Sequence, residues 1–418
     1  MPVKPRLHPA WIVVTVAFLA LVAAAGFRAA PSALIDPIRA EFGWSTTEIS
    51  VSVTVNLLLY GLTAPFAAAL IQRFGIRIVS TIALLLVAAG AGLAPLATAP
   101  WMLVATWGLL IGLGTGSMAL VFAASVASTW FVARRGLAVG ILTAGGATGQ
   151  LVFIPVVAIL AETNGWRWAT LACAAAALLV TPLVVGFLRD RPAQYGVTPY
   201  GAPDDWTPPP PATGNPARNA LVALKDASRS KAFWALALGF FICGATTNGL
   251  VGTHFIPSAH DHGMAVTTAA WLLALVGVFD IVGTIASGWL TDRVDSRILL
   301  GIYYGGRGIG LAVLPLLLDA TVQPPIIIFV IIYGLDWVAT VPPTVALCNR
   351  AFGPRGPIVF GWIFASHQVG AAVAAVAAGA IRDVTGQYTI AWLGAAGLCV
   401  VAAAVSLAIR PQRAAVAA

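Results

Sequence analysis

Five ionisable side chains lie inside long apolar stretches of this sequence. They are Arg28, Asp280, Arg307, Asp336 and His367. If these stretches cross a bilayer, each charge costs about 2.5–3.5 kcal/mol to insert on insertion scales, so each needs a partner or a task. Guanidinium groups form charge-assisted hydrogen bonds with anions, and carboxyl groups bind cations or protons. The five residues therefore predict a buried site for a charged ligand, a proton, or both.

Two of these residues also have a purely structural interpretation. Arg307 can form a structural ion pair with Asp280 or with Asp336. His367 can be a packing histidine whose ring is satisfied inside the protein. The sequence leaves both interpretations open beside the functional one.

Three further residues can add polar or aromatic groups to such a site. Asn56 and Tyr60 lie four residues apart, and therefore on one face of a helix. Trp337 follows Asp336 and can form an apolar wall. Because aromatic residues in the middle of a helix usually belong to the core, packing is the alternative role for Tyr60 and Trp337.

The composition indicates which elements must position these side chains. The 418 residues are 59% hydrophobic and 9% charged, with a mean hydropathy of +0.91. Soluble domains carry about 25% charged residues, so a membrane protein is the class that fits. Apolar runs of about 20 residues can cross a bilayer. They predict twelve transmembrane helices, at 9–34, 47–71, 78–97, 100–130, 136–161, 166–188, 232–257, 266–290, 297–318, 323–349, 357–381 and 388–409.

One long polar interval divides these spans into six plus six. It contains Asp204, Asp205 and the proline run 208–211, and its composition is typical of a flexible linker. We therefore predict an N-terminal six-helix bundle over 1–190, a cytoplasmic linker over 191–231 and a C-terminal six-helix bundle over 232–418.

The basic residues predict the orientation of the chain. Of the 23 Lys and Arg residues, 18 fall on segments that the twelve-span arrangement places on one side. This asymmetry follows the positive-inside rule, and it predicts cytoplasmic termini in an inner membrane. The formal net charge of +8 therefore reflects topology, and no nucleic-acid partner is expected.

The two halves resemble each other at a constant offset. At an offset of 220, Pro37 matches Pro257 and Gly43 matches Gly263; Tyr60 then corresponds to Asp280. At an offset of 221, the matches are Arg134 with Arg355, Gly140 with Gly361, Gly149 with Gly370, and Gly165 with Gly386. These matches predict two pseudo-symmetric bundles related by an axis normal to the membrane.

The loops after the second and eighth spans are also repeated. The loop 288–297 contains Asp292, Arg293 and Arg297, and the first-half copy keeps Arg73 and Arg77. A carboxylate at one helix end can latch an arginine of a neighbouring helix in one state and release it in another. We predict a gating role for these five residues, with topology anchoring as the alternative. Loop 288–297 resembles the signature loop of the major facilitator superfamily, which implies the major facilitator fold.

Along nearly its full length the chain resembles the monocarboxylate and oxalate-type porters of that superfamily. Segments 11–28, 42–45, 74–77 and 165–167 are similar to motifs of this branch. The segment Val278-Phe279-Asp280 is similar to the branch's Phe-Val-Asp, whose aspartate takes part in proton coupling. The branch commonly has an arginine four residues later that holds the substrate carboxylate, where this sequence has Thr284. Either Arg28 or Arg307 has therefore taken over anion binding, or the substrate is not a simple monocarboxylate.

The resemblance implies a secondary transporter in which most candidate residues lie on cavity-lining helices. We predict proton symport of a small organic anion, a mono- or dicarboxylate, by alternating access. Asp280 would take up the proton, because loss of water favours a neutral carboxyl group. The anion would be bound by Arg28 and Arg307, and the remaining candidate residues would orient it: Asn56, Tyr60, Asp336, Trp337 and His367.

Other functions are compatible with parts of the pattern. A proton-coupled drug or metabolite exporter would use the two aspartates to bind cations, and an anion exchanger would need no proton. A membrane receptor lacks support, since no appended signalling module is visible. No nucleophile elbow, phosphate loop or metal cluster is recognisable, so we expect neither an enzyme nor a cofactor.

The four cysteines do not suggest chemistry of their own. They lie within apolar runs, without the close spacing of a zinc or redox pair, at Cys173, Cys243, Cys348 and Cys399. We interpret them as packing residues. The expected partners are a small carboxylate, a proton and the lipid bilayer, and we expect a monomer.

Overall fold

The computed structural model describes residues 8–44, 46–208 and 214–409, and these residues are largely helical. Six helical spans precede the linker. They are α1 Pro9–Phe42, α2 Thr46–Phe74, α3 Ile76–Leu93, α4 Pro100–Trp130, α5 Arg135–Thr163 and α6 Trp166–Phe187.

Six helical spans follow the linker in the described part of the chain. They are α7 Lys231–Asp261, α8 Val266–Thr291, α9 Ser296–Leu317, α10 in two parts, Pro324–Asp336 and Val341–Phe352, α11 Gly356–Thr385 and α12 Thr389–Leu407. In the described part of the chain, eleven helical stretches are long and apolar enough to cross a membrane, and one of them, Pro324–Arg382, contains α10 and most of α11. The twelve predicted spans are thereby confirmed.

Helix boundaries follow from local chemistry. Gly43 ends α1, and its backbone N–H donates to the carbonyl of Arg39 from a left-handed conformation with φ of 68°. Gly386 ends α11 in the same way, with φ of 75°. Glycine reaches this conformation without the steric cost that a Cβ atom imposes. Consequently α1 continues to Phe42, eight residues beyond the predicted end of the first span.

The chain forms two compact units, residues 1–220 and 221–418. In the first unit α1 packs on α5, α2 on α4 and α3 on α6. The second unit repeats these pairings, with α7 on α11, α8 on α10 and α9 on α12. The fold is therefore all-α, with two pseudo-symmetric six-helix bundles, as the internal repeat predicts.

Part of the predicted linker is ordered. Tyr200 forms a backbone bridge with Phe131 and its ring lies edge-on to Trp11, with 5.8 Å between ring centroids. A helix, Pro216–Ala227, follows, and its Asp226 pairs with Arg355 at 2.7 Å. The polar composition predicts the position of the linker but not these contacts.

Carboxylates at matching positions fasten the ends of α1 and α7. Glu41 accepts hydrogen bonds from Arg167 at 2.7 Å and from the Trp166 indole at 2.8 Å. Hydrogen bonding by Arg167, and next by Trp166, lowers the pKa of Glu41. Asp261 lies 220 residues later and binds Arg382 through both carboxylate oxygens, at 2.7 and 2.9 Å.

Both bundles also contain a broken helix at matching positions. In α4 the backbone N–H of Met118 donates to the carbonyl of Thr115, three residues earlier. In α10 the backbone N–H of Ala339 likewise donates to the carbonyl of Asp336, three residues earlier. Met118 and Ala339 are 221 residues apart, the offset of the repeat. A switch from four-residue to three-residue bonding tightens a helix and changes which backbone groups are satisfied.

Glycines allow α8 and α10 to approach closely at this break. A Cβ atom on Gly283 would collide with the backbone of Leu335, and one on Gly334 would lie against the backbone of Val276. Such contact leaves no room for a methyl group, and the glycines thereby fix the separation of the two helices.

We expect Gly283→Ala to destabilise the protein by about 1–3 kcal/mol, the usual cost of overpacking. Gly277→Ala on the same helix is the matched control, because nothing lies within 4 Å of its Cβ position. The control should be neutral or slightly stabilising, since alanine favours helix over glycine. Thermal unfolding in detergent measures both variants. Equal melting temperatures for the two would contradict the close approach.

A buried polar cluster at the break in α10

Arg307 of α9 is fully enclosed in the second bundle. Its side chain has 0% exposure, and its Nε lies 2.6 Å from Oδ2 of Asp336. Nη2 donates to the carbonyl oxygens of Asp336 at 2.7 Å and Trp337 at 3.2 Å. Nη1 contacts Sγ of Cys243 at 3.1 Å and Oγ1 of Thr246 at 3.4 Å. All three guanidinium nitrogens therefore have protein partners.

The break at residues 337–340 explains why a charged fork is needed there. The backbone N–H of Trp337 donates a hydrogen bond to the carbonyl of Gly334. In a regular helix that carbonyl would accept from the N–H of Val338. The Val338 N–H therefore lacks its usual partner, and it donates instead to Oδ1 of Asp280 at 3.1 Å. Buried backbone groups without partners are costly, so these side chains complete the broken helix.

Asp280 of α8 binds the same break at a backbone N–H group, whereas Arg307 binds backbone carbonyl groups. It is 3% exposed, and its Oδ1 also accepts a hydrogen bond from the hydroxyl of Thr284 at 2.8 Å. Among the described residues it forms no ion pair with a basic side chain, in contrast to Asp336. Ser287, two helical turns after Asp280 on α8, donates to the carbonyl of Ala339 at 2.5 Å.

A π-helical segment of α7, Ala245–Val251, contributes to the cluster. Wider helical turns release carbonyl groups from the helix, and the carbonyl of Thr246 accepts from the Tyr333 hydroxyl at 2.8 Å. The rings of Tyr304 and Tyr333 lie 5.8 and 6.0 Å from the Arg307 guanidinium carbon. The cation is thus enclosed by aromatic faces as well as by hydrogen-bond acceptors.

Two candidate residues lie at the edge of this cluster. Trp337 is half-buried, and its ring meets Tyr333 edge-on with 5.6 Å between centroids. His367 is buried against Phe240 and Phe364, at centroid distances of 5.0 and 5.9 Å. Its Nδ1 lacks a hydrogen-bond partner among the described residues. The environment of His367 is therefore mainly aromatic.

The candidate residues of the first bundle are on α2 and α1. Asn56 donates to the carbonyl of Trp107 at 2.7 Å, within the π-helical segment Val104–Ile111 of α4. Tyr60 is buried, and the backbone around it approaches Gly116 closely. Arg28 lies on α1, but its side chain is outside the described part of the structure.

The five predicted gating residues lie in the segments that join α2 to α3 and α8 to α9, and at the adjoining helix ends. Arg73 lies over the ring of Phe74, 5.9 Å from its centroid, and the backbone N–H of Arg77 donates to Asp190 at 2.8 Å. Arg293 lies over Trp289, 4.0 Å from its centroid.

The remaining part of that loop is held by a second carboxylate. Arg297 binds Asp295 at 2.6 Å, and this guanidinium lowers the pKa of Asp295 to about 2. Asp292 lies at the C-terminal end of α8. Asp295 was not among the residues predicted for gating, although it is the carboxylate that pairs with Arg297.

Sequence reasoning missed several members of the cluster. Cys243 was interpreted as a packing residue, whereas its thiol contacts both Arg307 and the Thr340 hydroxyl, the latter at 3.3 Å. Thr246 and Ser287 were not singled out. Thr284 was noticed only as a departure from the family pattern, and it is bonded directly to Asp280.

A family model of the Major Facilitator Superfamily matches residues 16–356 and 255–417. The chain belongs to this superfamily. The monocarboxylate transporter 12-B of Danio rerio is 30% identical over 365 residues, which cover 78% of this chain and 72% of that protein. This likeness assigns the chain to the monocarboxylate transporter branch.

Other relatives and structures agree with this assignment. The uncharacterized MFS-type transporter YcxA of Bacillus subtilis is 27% identical over 93% of this chain and 92% of its own length. The structure of the human organic anion transporter MFSD10 matches with a TM-score of 0.71 at 16% identity, covering 95% of this chain and 99% of that one. The proton:xylose symporter XylE matches with a TM-score of 0.67 at 15% identity, covering 94% of each chain. This member of the superfamily is therefore a multi-pass membrane transporter and not an enzyme.

Proposed function

We propose that this transporter carries a small organic anion, a mono- or dicarboxylate, together with a proton by alternating access. The observation that carries the proposal is Asp280, a buried carboxyl group that has hydrogen-bond donors but no described ion pair, at the break in α10. Support also comes from relatives whose names specify monocarboxylates and from structural neighbours named as proton symporters.

Asp280 is a better proton acceptor than Asp336 for a physical reason. Asp336 faces the Arg307 guanidinium at 2.6 Å, and this direct pair stabilises its charged form. A buried carboxylate without a direct counter-ion is far more costly than the neutral acid. Proton uptake at Asp280 therefore removes a charge from the interior before the bundles rearrange.

The anion is bound by Arg28 in this proposal. Arg307 was the other candidate, but its side chain is fully buried and its three nitrogens are occupied. It cannot reach a substrate without dismantling the break in α10. Asn56, Tyr60, Trp337 and His367 are proposed to orient the ligand.

We further propose an inner-membrane location with cytoplasmic termini, based on the distribution of Lys and Arg. In this orientation the loops of Arg73, Arg77, Asp292, Arg293 and Arg297 lie at the cytoplasmic face, where they act in gating. The transporter is proposed to work as a monomer, because each major facilitator chain supplies both bundles.

Asp280→Asn should abolish proton-driven accumulation of a carboxylate in proteoliposomes but retain exchange of labelled for unlabelled substrate. Asparagine imitates the protonated acid, so the loaded carrier can still reorient, whereas it cannot release a proton to return empty. Gly277→Ala, on the same helix and in open space, is the control and should accumulate substrate normally. Full proton-driven accumulation by Asp280→Asn would rule out its role in coupling.

Arg28→Gln should reduce carboxylate uptake by roughly 10–100-fold, since a charge-assisted hydrogen bond contributes about 1.5–3 kcal/mol. Arg39→Gln, at the exposed end of the same helix, should behave like the wild type. The alternative functions give different results. An exporter of cationic or apolar compounds would keep its activity in Arg28→Gln, and an anion exchanger would lose uptake but show no dependence on a proton gradient in the wild type.

A further inference from the structure

Arg307 and Asp280 contact opposite ends of one peptide group. The carbonyl of Trp337 accepts from Arg307 Nη2 at 3.2 Å, and the N–H of Val338 donates to Asp280 Oδ1 at 3.1 Å. These two atoms belong to the same peptide unit, which is planar and in which C=O and N–H point in opposite directions. Any rotation of this plane therefore changes both contacts together.

We propose that Arg307 is a positioning residue that controls the proton-binding carboxyl of Asp280 through the Trp337–Val338 peptide group. The guanidinium holds the carbonyl end, and the rigid plane directs the N–H end at Asp280. This inference rests on the proposed function, since it requires proton binding at Asp280. It also assigns Arg307 to the proton site and not to the substrate.

Three features make this peptide group a suitable connection. First, the break releases its N–H from bonding within α10, so the N–H can donate to a side chain of a neighbouring helix. Second, a cation at the carbonyl end and an anion at the N–H end polarise the same dipole in one direction, which strengthens both bonds. Third, Ser287 holds the carbonyl of Ala339 on the far side of the break, so the plane is supported from both directions.

The arrangement also accounts for Thr284. At this position the resemblance leads one to expect an arginine. Here a hydroxyl donor takes its place, 2.8 Å from Oδ1 of Asp280, and the cation that acts on Asp280 is Arg307 of α9, across one peptide group. Protonation of Asp280 weakens its bond to Val338, which frees the peptide plane and allows the break in α10 to rearrange.

The neighbouring helices contribute the other titratable groups of this region. Arg307, Tyr303 and Tyr304 lie on α9 and Tyr333 lies on α10. The rings of Tyr304 and Tyr333 lie beside the Arg307 guanidinium. Asp336 lies on α10 and is held by Arg307. Cys243 of α7 contacts Arg307, and His367 lies on α11.

The test is the pH dependence of carboxylate uptake by the full-length protein in proteoliposomes. Hydrogen bonds to a carboxylate favour its charged form, so losing one should raise the pH of half-maximal uptake. Thr284→Val removes a direct donor to Asp280 and should raise it by about one unit, given that one pH unit corresponds to about 1.4 kcal/mol. Arg307→Lys keeps the charge but loses the fork that reaches the Trp337 carbonyl, and it should shift the profile in the same direction.

Affinity separates positioning from substrate binding. At saturating proton concentration, Arg307→Lys should leave the KM for the carboxylate within about twofold of the wild-type value. A rise of KM by tenfold or more with an unchanged pH profile would show that Arg307 binds substrate, and it would overturn the inference. A pH profile like that of the wild type would also overturn it, because charge alone would then suffice.

Ser287→Ala keeps the test decisive if Arg307→Lys fails to fold. It removes only the bond to the Ala339 carbonyl and should raise the pH of half-maximal uptake by roughly half a unit. Tyr303→Phe is its matched control, since it removes a half-buried hydroxyl group of α9 but leaves the bonds of the break in place, and it should not shift the profile. If Thr284→Val shifts the profile while Ser287→Ala does not, the peptide bridge is refuted and the proposed function stands. If wild-type uptake is independent of pH, the proposed function itself fails.

Discussion

The second bundle depends on satisfying the backbone of a broken helix inside an apolar environment. A membrane interior offers no water to unpaired N–H and C=O groups, so each must find a partner within the protein. At residues 337–340 these partners are side chains of α8 and α9: Asp280 for an N–H, and Arg307 and Ser287 for carbonyls. The pair of Arg307 and Asp336 is tolerated there because the two charges neutralise each other, and because the guanidinium also binds backbone carbonyl groups. The same contacts bring Asp280, the carboxyl group that we propose to bind the proton, to the break in α10.

The first bundle has the same break without the charges. At an offset of 221, Asp336 corresponds to Thr115, whose hydroxyl bonds back to its own helix at Ile111. At an offset of 220, Arg307 corresponds to Val87, which packs against Gly114. The two halves thus have the same backbone conformation at the break but different side chains around it. In the proposed mechanism the two bundles have different roles: the second binds the proton through Asp280, and the first binds the anion through Arg28.

Hydropathy and the internal repeat are sufficient to predict the twelve spans and their division into two bundles, and the resemblance of loop 288–297 and a few short segments to family motifs indicates the family. The position of Arg307 inside a span limits its role to substrate binding or to an ion pair with Asp280 or Asp336, and the last of these is the pair in the structure. These sequence features do not predict the break in α10, because a switch of backbone bonding depends on how closely Gly283 and Gly334 let two helices approach. For the same reason the contacts of Cys243, Thr246 and Ser287 were missed: their partners are backbone atoms or side chains on other helices, which no spacing along the chain reveals.

Infrared difference spectroscopy of the purified protein tests most directly whether Asp280 takes up a proton with the substrate. Adding a monocarboxylate at the pH of half-maximal uptake should produce the carbonyl band of a protonated carboxylic acid in the wild type. The band should persist in Asp319→Asn, an exposed carboxyl outside the cluster, and should be absent in Asp280→Asn. A substrate-induced acid band that survives in Asp280→Asn, or no such band in the wild type, would contradict the account.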